Sequence, residues 1–290
     1  MLTMAKILLP VDFSDRSVGA ARYAEAIAEK FGAEVTMLHV VPPPQYEFAA
    51  MEAGSMALAE FYMNRKANAE KDCQEFLKAE LPGLNAKRVT LEGDPAREIV
   101  RVAHDEGMNL IVLPTHGYGP FRRFVLGSVV AKVLHDADCP VLTGVHLEEA
   151  PPVEKIQFNT VLVAVDLGPQ SEKALLWAAQ LASSGNAKLI VVHATPNLEG
   201  RTGEYFDPSW KQFMAEQGAK DVNALLDKTG VKAHVVIEAG DAPHVVRDVA
   251  TRLGADLTVI GRGTAAGIFG RLRANAYAIV RESPVPVVSV

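Results

Sequence analysis

The sequence has few cysteines and no long apolar run, and both shortages narrow the class of protein. Among its 290 residues are two cysteines, Cys73 and Cys139, and their spacing matches no motif. Isolated cysteines of this kind predict reduced thiols rather than a disulfide framework or a metal site. No stretch approaches the roughly 18 apolar residues that span a membrane, and the N-terminus lacks a signal-peptide pattern. We therefore expect no membrane association and a cytoplasmic location.

An excess of basic charge is also missing. The formal net charge is −6, all of it carried by residues 1–150, whereas residues 151–290 are neutral. Neither half has the positive charge that binding to a phosphate backbone requires, so nucleic-acid binding is not expected. The sequence also has no histidine and cysteine cluster with zinc spacing and no G-K-[ST] motif. We predict no catalytic residue and no metal ligand.

The chain contains one alternating pattern of strands and helices, and it contains that pattern twice. The run Lys6-Ile-Leu-Leu-Pro-Val-Asp12 recurs as Thr160-Val-Leu-Val-Ala-Val-Asp166. Gly93-Asp94 and the helical sequence after it recur at Gly240-Asp241. A fixed repeat of this length indicates a duplicated fold. We predict domains at 1–146 and 158–290, joined by a linker at 147–157.

Each half is predicted to be an α/β domain of Rossmann-like type. Strands that alternate with helices of ten or more residues imply a parallel sheet with helices on both faces. We expect five strands per half, in the order 3-2-1-4-5. In the first half the sequence predicts strands at 5–11, 34–41, 88–91, 109–113 and 140–145. Gly32 should end the first helix, and Gly93-Asp94-Pro95 should start a helix that runs to about Asp105. A long excursion should run from 42 to about 62, with helix from there to 78.

The segment Leu113–Val129 has the features of a phosphate-binding loop. It follows an apolar strand, contains Gly117 and Gly127, and leads into a helix that begins at Ser128. Unpaired amides and the helix dipole favour an anion at a helix N-terminus, and glycine lets the backbone approach it. Parallel sheets bind ligands beyond the carboxyl ends of their strands, where Asp12 and Val40 should also lie.

Several motifs at fixed separation together resemble the universal stress protein family. They are Pro-Val-Asp-Phe-Ser at 10–14, Leu-His-Val at 38–40, Glu-Gly-Asp-Pro at 92–95, Thr-His-Gly at 115–117, and Gly-Ser nine residues later. A Cys-Pro-Val strand follows. The resemblance covers nearly the whole chain except 42–62 and 195–216, and it implies a tandem universal stress protein.

The resemblance implies an ATP site in the first half. The family pattern is Gly, two residues, Gly, nine residues, then Gly with Ser or Thr. By resemblance, Asp12 contacts the ribose or adenine end, Val40 reads the adenine edge through its backbone, and backbone groups hold the phosphates, which Mg²⁺ could accompany. The complete set implied to bind nucleotide is Pro10, Val11, Asp12, Val40, Pro114, His116, Gly117, Gly127, Ser128 and Val129.

The first glycine of that pattern is replaced by Pro114. Proline fixes φ near −65° and has no N–H. If the family glycine needs positive φ or donates its amide, Pro114 cannot replace it. If the glycine only keeps a side chain out of the pocket, Pro114 narrows the site without closing it.

The second half departs further from the pattern. Gly261 matches the first glycine, but Thr264 and Arg273-Ala274 stand where the other positions are expected. We predict that this half is degenerate, empty and mainly structural. Arg262, Arg271 and Arg273 leave a cationic mouth, which could hold another anion or could be a solvated cluster.

Several residues have a structural interpretation beside the functional one. Asp12 could cap a turn, since Asp166 recurs in the degenerate half. His116 fits a phosphate-neighbouring role better than general-base chemistry. His39 and His193 read as satisfied core histidines rather than metal ligands. Arg122 and Arg123 could reach phosphates or be exposed. The apolar excursion at 46–62 could be a lid or an interface.

The sequence therefore predicts a stress-response regulatory protein that binds ATP in its first half. A nucleotide-free scaffold acting through an unknown protein partner is the second hypothesis, and a weak ATPase is the third. In the family the C-terminal strands of paired domains meet. The resemblance thus implies that 140–145 and 285–290 meet in an internal pseudo-dimer, and that a homodimer is possible.

Overall fold

The chain folds into two compact units. The computed structural model describes residues 4–42, 56–115, 126–144, 147, 150–196, 208–262 and 274–290. One unit consists of Met4–Val141 with Leu147–Ile156, and the other consists of Gln157–Val290 with Leu142–His146. We refer to the α/β repeats within them as the first and second repeat.

The first repeat alternates strands and helices along the chain. Its elements are β1 (Lys6–Pro10), α1 (Asp15–Phe31), β2 (Glu34–Val41), α2 (Met56–Glu75), β3 (Ala86–Glu92), α3 (Pro95–Asp105), β4 (Leu110–Val112), α4 (Ser128–Asp136) and β5 (Val141–Thr143).

The second repeat follows the same sequence of elements after a short 3₁₀ turn at Val153–Lys155. Its elements are β6 (Thr160–Ala164), α5 (Ser171–Gly185), β7 (Lys188–Thr195), α6 (Pro208–Thr229), β8 (His234–Ala239), α7 (Ala242–Arg252), β9 (Leu257–Ile260), α8 (Ala274–Glu282) and β10 (Val287–Ser289).

The sheet of each repeat is parallel and has its first strand in the middle. The strand order is β3-β2-β1-β4-β5 in the first repeat and β8-β7-β6-β9-β10 in the second. The pairs of β1 with β2 and β4, and of β6 with β7 and β9, are parallel. Ile7, Leu8 and Leu9 are all fully buried. Because successive side chains point to opposite faces, both faces of β1 are covered, which confirms the α/β class.

Helix ends follow the signals in the sequence. Asp94 is the N-cap of α3 and accepts a hydrogen bond from Arg97 N at 3.0 Å. Gly32 ends α1 in the left-handed region, with φ 67°, and its N–H donates to Ala28 O. A residue without a side chain adopts this conformation at little cost, so the predicted end of α1 is confirmed.

The segment that the sequence assigns to a linker packs against α1. Leu147 is fully buried, and the Arg22 guanidinium donates to Ala150 O at 2.5 Å. A Cβ at Gly19 would overlap Leu147 O. Gly19 therefore lets the backbone of this segment lie directly on the helix.

The bounds of α2 and β3 differ from the sequence prediction. α2 begins at Met56 rather than near residue 62, and it ends at Glu75 rather than 78. The run Met-Ala-Leu-Ala-Glu consists of strong helix formers, whose propensity outweighs the irregular apolar spacing. β3 spans Ala86–Glu92 and is longer than predicted, because β2 supplies a pairing partner for each of these residues. Residues 46–55, which make up most of the proposed lid or interface segment 46–62, lie outside the described residues.

Candidate functional site

The first repeat has a topological switch point between β1 and β4. β2 lies on one side of β1 and β4 on the other, so the loops after β1 and β4 leave the sheet in opposite directions. Open α/β sheets bind ligands in the crevice that this divergence creates. Asp12 follows β1, and Pro114 follows β4, as the sequence predicts.

Asp12 organises the turn between β1 and α1. Its Oδ1 atom accepts hydrogen bonds from Ser14 N at 3.1 Å, Ser14 Oγ at 2.5 Å and Ser17 Oγ at 2.8 Å. The backbone N–H of Asp12 donates to Ser17 Oγ at 3.2 Å. Ser14 occupies the N-cap position of α1, but its hydroxyl bonds to Asp12 rather than to the helix. One carboxylate oxygen of Asp12 is thus committed to holding the turn.

Phe13, next to Asp12, has a backbone conformation that residues with a side chain rarely adopt. Its φ is 64°, and its ring stacks on His39 with centroids 4.1 Å apart and an interplanar angle of 23°. Phe76 meets the same ring edge-on at 5.3 Å. Aromatic contacts of these two kinds offset part of the cost of a left-handed residue.

The imidazole ring of His39 is also held by a backbone carbonyl. Its Nδ1 atom lies 2.8 Å from Val11 O, so a neutral ring donates its Nδ1–H to that carbonyl. Burial lowers the pKa of His39 below its usual value, against the opposing effects of the Val11 carbonyl and Asp12. A neutral, hydrogen-bonded and stacked imidazole is a structural group, as the sequence analysis concluded.

The backbone of Val40 lies beyond the end of β1. The pairing of β1 with β2 ends at Pro10 opposite Leu38, whereas β2 continues beside β3 to Val41. Leu38 O accepts from Val11 N at 2.9 Å, so the backbone groups of Leu38 point toward β1. Residues two apart point to the same edge, and Val40 therefore directs its N–H and C=O to an edge where β1 has stopped.

The N-terminus of α4 is arranged around Gly127. Gly127 is the N-cap, with φ −60° and ψ 149°, and its N–H donates to Thr115 O at 2.9 Å. Its amide therefore closes the base of the loop that starts after Thr115. Ser128 and Val129 are the first two residues of α4, where amides have no acceptor within the helix. These two amides can face an anion, whereas the φ of Gly127 is one that any residue adopts.

Pro114 is tested through its counterpart in the second repeat, Gly261. Gly261 is absent from the glycines with positive φ. A Cβ on Gly261 would lie 3.1 Å from Gln170 Cβ and 3.2 Å from Gln170 O. In this fold the position thus needs room for the neighbouring loop rather than a left-handed backbone. A requirement for positive φ therefore does not exclude Pro114, and the ring it adds and the amide it lacks are the differences that remain.

Four groups of predicted residues lie outside the part of the chain that the structure describes. They are His116, Gly117, the pair Arg122 and Arg123, and the second-repeat residues Thr264, Arg271 and Arg273. Pro10 and Val11 are buried at the carboxyl end of β1, where the sequence predicts them.

The second repeat rebuilds the same turn with the same atoms. Asp166 Oδ1 accepts from Gly168 N at 2.9 Å and from Ser171 Oγ at 2.8 Å, and Asp166 N donates to Ser171 Oγ at 3.2 Å. Leu167 has φ 60°, and His193 Nδ1 lies 2.8 Å from Val165 O. The structural interpretation of the aspartate therefore holds in both repeats.

Sequence reasoning missed the serine that completes each turn. Ser17 and Ser171 are buried, and each lies five residues after its aspartate. The signal was present, because D-x-x-x-x-S occurs at the same place in both halves. This spacing is not among the motifs that carry the family resemblance, and only the hydrogen bonds of the two serines show its role.

The second repeat retains a cavity at the carboxyl ends of its strands. Its volume is about 260 Å³, and Ala164, Asp166, Ala194, Arg262 and Ile279 are among the residues that line it. Arg262 is 4% exposed. The interpretation of Arg262 as part of a solvated cluster is therefore wrong, because the side chain folds into the cavity wall rather than into water.

The described residues include no group of three or more histidine, cysteine, aspartate or glutamate side chains that could hold a metal ion. Neither Cys73 nor Cys139 forms a disulfide in the part of the chain that the structure describes, and burial raises the pKa of Cys73. Among the described helices, none has the length and apolarity needed to cross a bilayer.

Comparison with known proteins agrees with this architecture. The model of the universal stress protein family matches residues 4–143 and again 157–290. Universal stress protein Rv2005c of Mycobacterium tuberculosis is 28% identical over 97% of this chain and 95% of its own. MJ0531 of Methanocaldococcus jannaschii is 36% identical over 47% of this chain and 79% of its own.

A solved structure shows the same fold along nearly the whole chain. The universal stress protein from Archaeoglobus fulgidus covers 98% of this chain and 97% of its own, with a TM-score of 0.69 at 23% identity. The family match spans most of the sequence and falls twice. This chain belongs to the universal stress protein family and carries two of its domains in tandem.

Proposed function

We propose that the first repeat, within the predicted domain 1–146, binds an adenine nucleotide, ATP in the first instance, and that the protein acts in stress-response regulation. The observation that carries the proposal is the N-terminus of α4 at the topological switch point, where Gly127 offers no side-chain cap. The amides of Ser128 and Val129 have no acceptor within the helix and lie at the positive end of its dipole. The backbone N–H and C=O of Val40 supply hydrogen-bonding groups for the base.

The other predicted residues have more limited parts in this proposal. Gly127 shapes the loop, since its amide is used by Thr115 O. Asp12 has one carboxylate oxygen left for a ribose hydroxyl, because Oδ1 already accepts three hydrogen bonds. His116 and Gly117 complete the phosphate loop in the family pattern and stay predictions.

Binding rather than catalysis is proposed. The described residues contain no group of three or more histidine, cysteine, aspartate or glutamate side chains that could hold a metal ion, and His39 is committed to Val11 O. Phosphoryl transfer needs a positioned metal or base in addition to a phosphate cradle. The cytoplasmic location, the protein partner and the homodimer remain predictions that accompany this proposal.

The test uses a substitution that keeps α4 stable but repels the phosphates of the ligand. Ser128→Asp places a negative charge on the first residue of α4, where the dipole stabilises it by about 0.3–1 kcal/mol. The same charge repels phosphate, so we expect ATP affinity to fall about tenfold or more in isothermal titration calorimetry. Ala274→Asp, at the first residue of α8, is the matched control and should bind ATP within about twofold of the wild type.

Two further measurements distinguish recognition of the base from recognition of the phosphates. Protein purified without added nucleotide and then denatured should release an adenine nucleotide. ATP should bind more tightly than inorganic triphosphate, because the Val40 edge recognises the base. If the native protein releases no nucleotide and binds none at millimolar ATP, the proposal is wrong.

A nucleotide-free scaffold is the second candidate. It is favoured by two donors that the first repeat does not offer, since Pro114 has no N–H and the Gly127 amide is taken by Thr115 O. This candidate predicts identical behaviour of wild type and Gly127→Arg toward ATP. Loss of binding in Gly127→Arg alone would exclude it.

A further inference from the structure

Ser14 stands at the N-cap of α1 but does not cap the helix with its side chain. A serine at this position usually accepts a hydrogen bond from a backbone N–H of the first turn, and the Ser14 hydroxyl makes no such bond. It donates instead to Asp12 Oδ1 at 2.5 Å, and Ser14 N donates to the same oxygen at 3.1 Å. Ser14 is only 8% exposed. A buried hydroxyl that forgoes the capping bond for a carboxylate indicates a role beyond helix stability.

Ser17 completes the set of donors on this carboxylate. Its hydroxyl donates to Asp12 Oδ1 at 2.8 Å and accepts from Asp12 N at 3.2 Å. Within the described part of the chain, every hydrogen bond to the carboxylate of Asp12 ends on Oδ1. Because three donors hold Oδ1, the side chain keeps one orientation and Oδ2 has a fixed position.

The backbone on both sides of Asp12 is held by His39. The Nδ1 atom of His39 lies 2.8 Å from Val11 O, and its ring stacks on Phe13 with centroids 4.1 Å apart. The main chain and the side chain of Asp12 are therefore both fixed before any ligand arrives. A group that is already ordered costs little further conformational entropy when it binds.

The fixed Oδ2 atom suits a hydroxyl group of a ligand. An ionised carboxylate only accepts hydrogen bonds, and its charge repels a phosphate. Asp12 is half-buried and lies at the carboxyl end of β1, beside the switch point between β1 and β4. The ribose is the part of a nucleotide that carries hydroxyl donors, so Oδ2 fits its 2′- or 3′-hydroxyl.

The second repeat builds the same turn without this additional hydroxyl. Gly168 stands at the position of Ser14, and its N–H donates to Asp166 Oδ1 at 2.9 Å. Ser171 Oγ donates to the same oxygen at 2.8 Å, as Ser17 does in the first repeat. The turn therefore forms with a glycine at this position, and the hydroxyl of Ser14 is an addition specific to the first repeat.

We propose that Ser14 is a positioning residue that gives the first repeat its preference for a ribose. It holds Asp12 Oδ1 so that Oδ2 accepts a hydrogen bond from the 2′- or 3′-hydroxyl. The proposal rests on the nucleotide binding proposed above and adds selectivity for the sugar. Ser14 acts through Asp12 rather than by contact with the ligand.

The experiment compares ATP with 2′-deoxy-ATP and 3′-deoxy-ATP by isothermal titration calorimetry of the full chain. We expect at least one deoxy analogue to bind the wild type about tenfold or more weakly than ATP, because Asp12 Oδ2 loses its donor. Ser14→Gly, which copies the second repeat and keeps the N–H donor, should reduce this ratio to about threefold or less. Inorganic triphosphate has no sugar and should bind Ser14→Gly within about twofold of the wild type, because its contacts with the α4 N-terminus are unchanged.

Ser171→Ala is the matched control. It removes a hydroxyl from Asp166 Oδ1 in the second repeat and should leave the ratio within about twofold of the wild type, since the two turns are separate sites. Ser14→Ala should behave as Ser14→Gly does, and it keeps the test valid if the glycine variant does not fold. Circular dichroism establishes that each variant is folded.

The outcomes separate this inference from the proposed function. No ATP binding by the wild type would overturn both. ATP binding with equal affinity for the two deoxy analogues would overturn only the sugar preference. An unchanged ratio in the folded Ser14 variants would show that Asp12 keeps its orientation without Ser14. Equal losses of affinity for ATP and triphosphate would show that Ser14 supports the whole site, and either result overturns its proposed role.

Discussion

The two repeats share the turn after their first strand and differ at the end of their fourth. Asp12 with Ser17, and Asp166 with Ser171, make the same hydrogen bonds at nearly the same distances. At the other side of the crevice, Thr115 of the first repeat corresponds to Arg262 of the second. The comparison teaches that the aspartate belongs to the architecture, whereas the repeats differ in the segment after β4 or β9, where we propose that the nucleotide phosphates bind in the first repeat.

A second difference lies on α1 and its counterpart α5. Gly19 of α1 accommodates the backbone at Leu147, whereas the matching residue of α5 is the exposed Lys173. Only the position on α1 is therefore covered by a segment that leaves no room for a side chain. Four predictions follow from these contrasts, in order of decreasing effect.

The largest effect is expected at Gly19. An alanine in a helix normally stabilises it relative to glycine by about 0.5–1 kcal/mol. Here the added Cβ meets a backbone carbonyl, so Gly19→Ala should lower the free energy of unfolding by about 1–3 kcal/mol. Lys173→Ala should change it by less than about 0.5 kcal/mol. Urea unfolding of both variants measures the contrast, and a stabilised Gly19→Ala would show that residues 147–156 do not pack on α1.

The two serines should have equal effects. Ser17→Ala and Ser171→Ala each remove a buried hydroxyl that bonds to both the amide and the carboxylate of the aspartate. We expect each to lower the free energy of unfolding by about 1–3 kcal/mol. Chemical denaturation of the matched pair measures this. A large loss in one repeat and none in the other would contradict a shared architectural role for the aspartate.

The first repeat should lose stability in mild acid through His39. Burial is the main cause that lowers the pKa of His39 in the folded state. As the pH falls below about 6.5, the unfolded state therefore binds a proton before the folded state does. The unfolding free energy should therefore decline from that pH downward. His39→Asn retains a donor toward Val11 O and cannot be protonated. Its unfolding free energy should depend less on pH in this window, and an unchanged pH profile would assign the decline to another group.

The smallest effect concerns Glu25, a buried carboxyl on α1. Burial raises its pKa, with a further contribution from Glu29, and its Oε2 atom has no hydrogen-bond partner. A raised folded pKa means that its ionised form opposes folding at neutral pH. Ala179 stands at the matching position of α5. Glu25→Gln should raise the unfolding free energy at pH 7 by up to about 1 kcal/mol, and by less at pH 4.

The matched control for Glu25 is the exposed Glu29 on the same helix. Glu29→Gln should leave the unfolding free energy nearly unchanged at both pH values, since exposed charges contribute little. A stabilisation that is equal in the two variants would point to the net charge of the protein rather than to burial of Glu25.

Much of the fold could be predicted from the sequence, because hydrophobic periodicity and turn residues are local signals. The end of α1 at Gly32 and the start of α3 at Asp94 were both predicted. The start of α2 at Met56 was missed, since apolar residues without helical spacing resembled an interface segment. The packing of residues 147–156 on α1 was missed because proline-rich sequence resembles a linker whether or not it is buried.

The candidate site was predicted less completely than the fold. Asp12, Val40, Gly127 and Ser128 were named from motifs, and the structure brings them to the carboxyl ends of neighbouring strands. What each does there could not be predicted, since hydrogen bonds join atoms that are distant in the chain. The Gly127 amide bonds to Thr115 O, and one oxygen of Asp12 is already taken.

The sequence by itself determined the duplication, the parallel α/β class and the family, because repeats and hydrophobic patterns are written along the chain. Tertiary structure decided that Asp12 and Asp166 hold turns, that Gly261 is needed for space rather than for positive φ, and that Arg262 enters a cavity wall. The physical reason is burial. Whether a charge lies in water or among apolar side chains depends on which strands and helices surround it, and no local pattern encodes that.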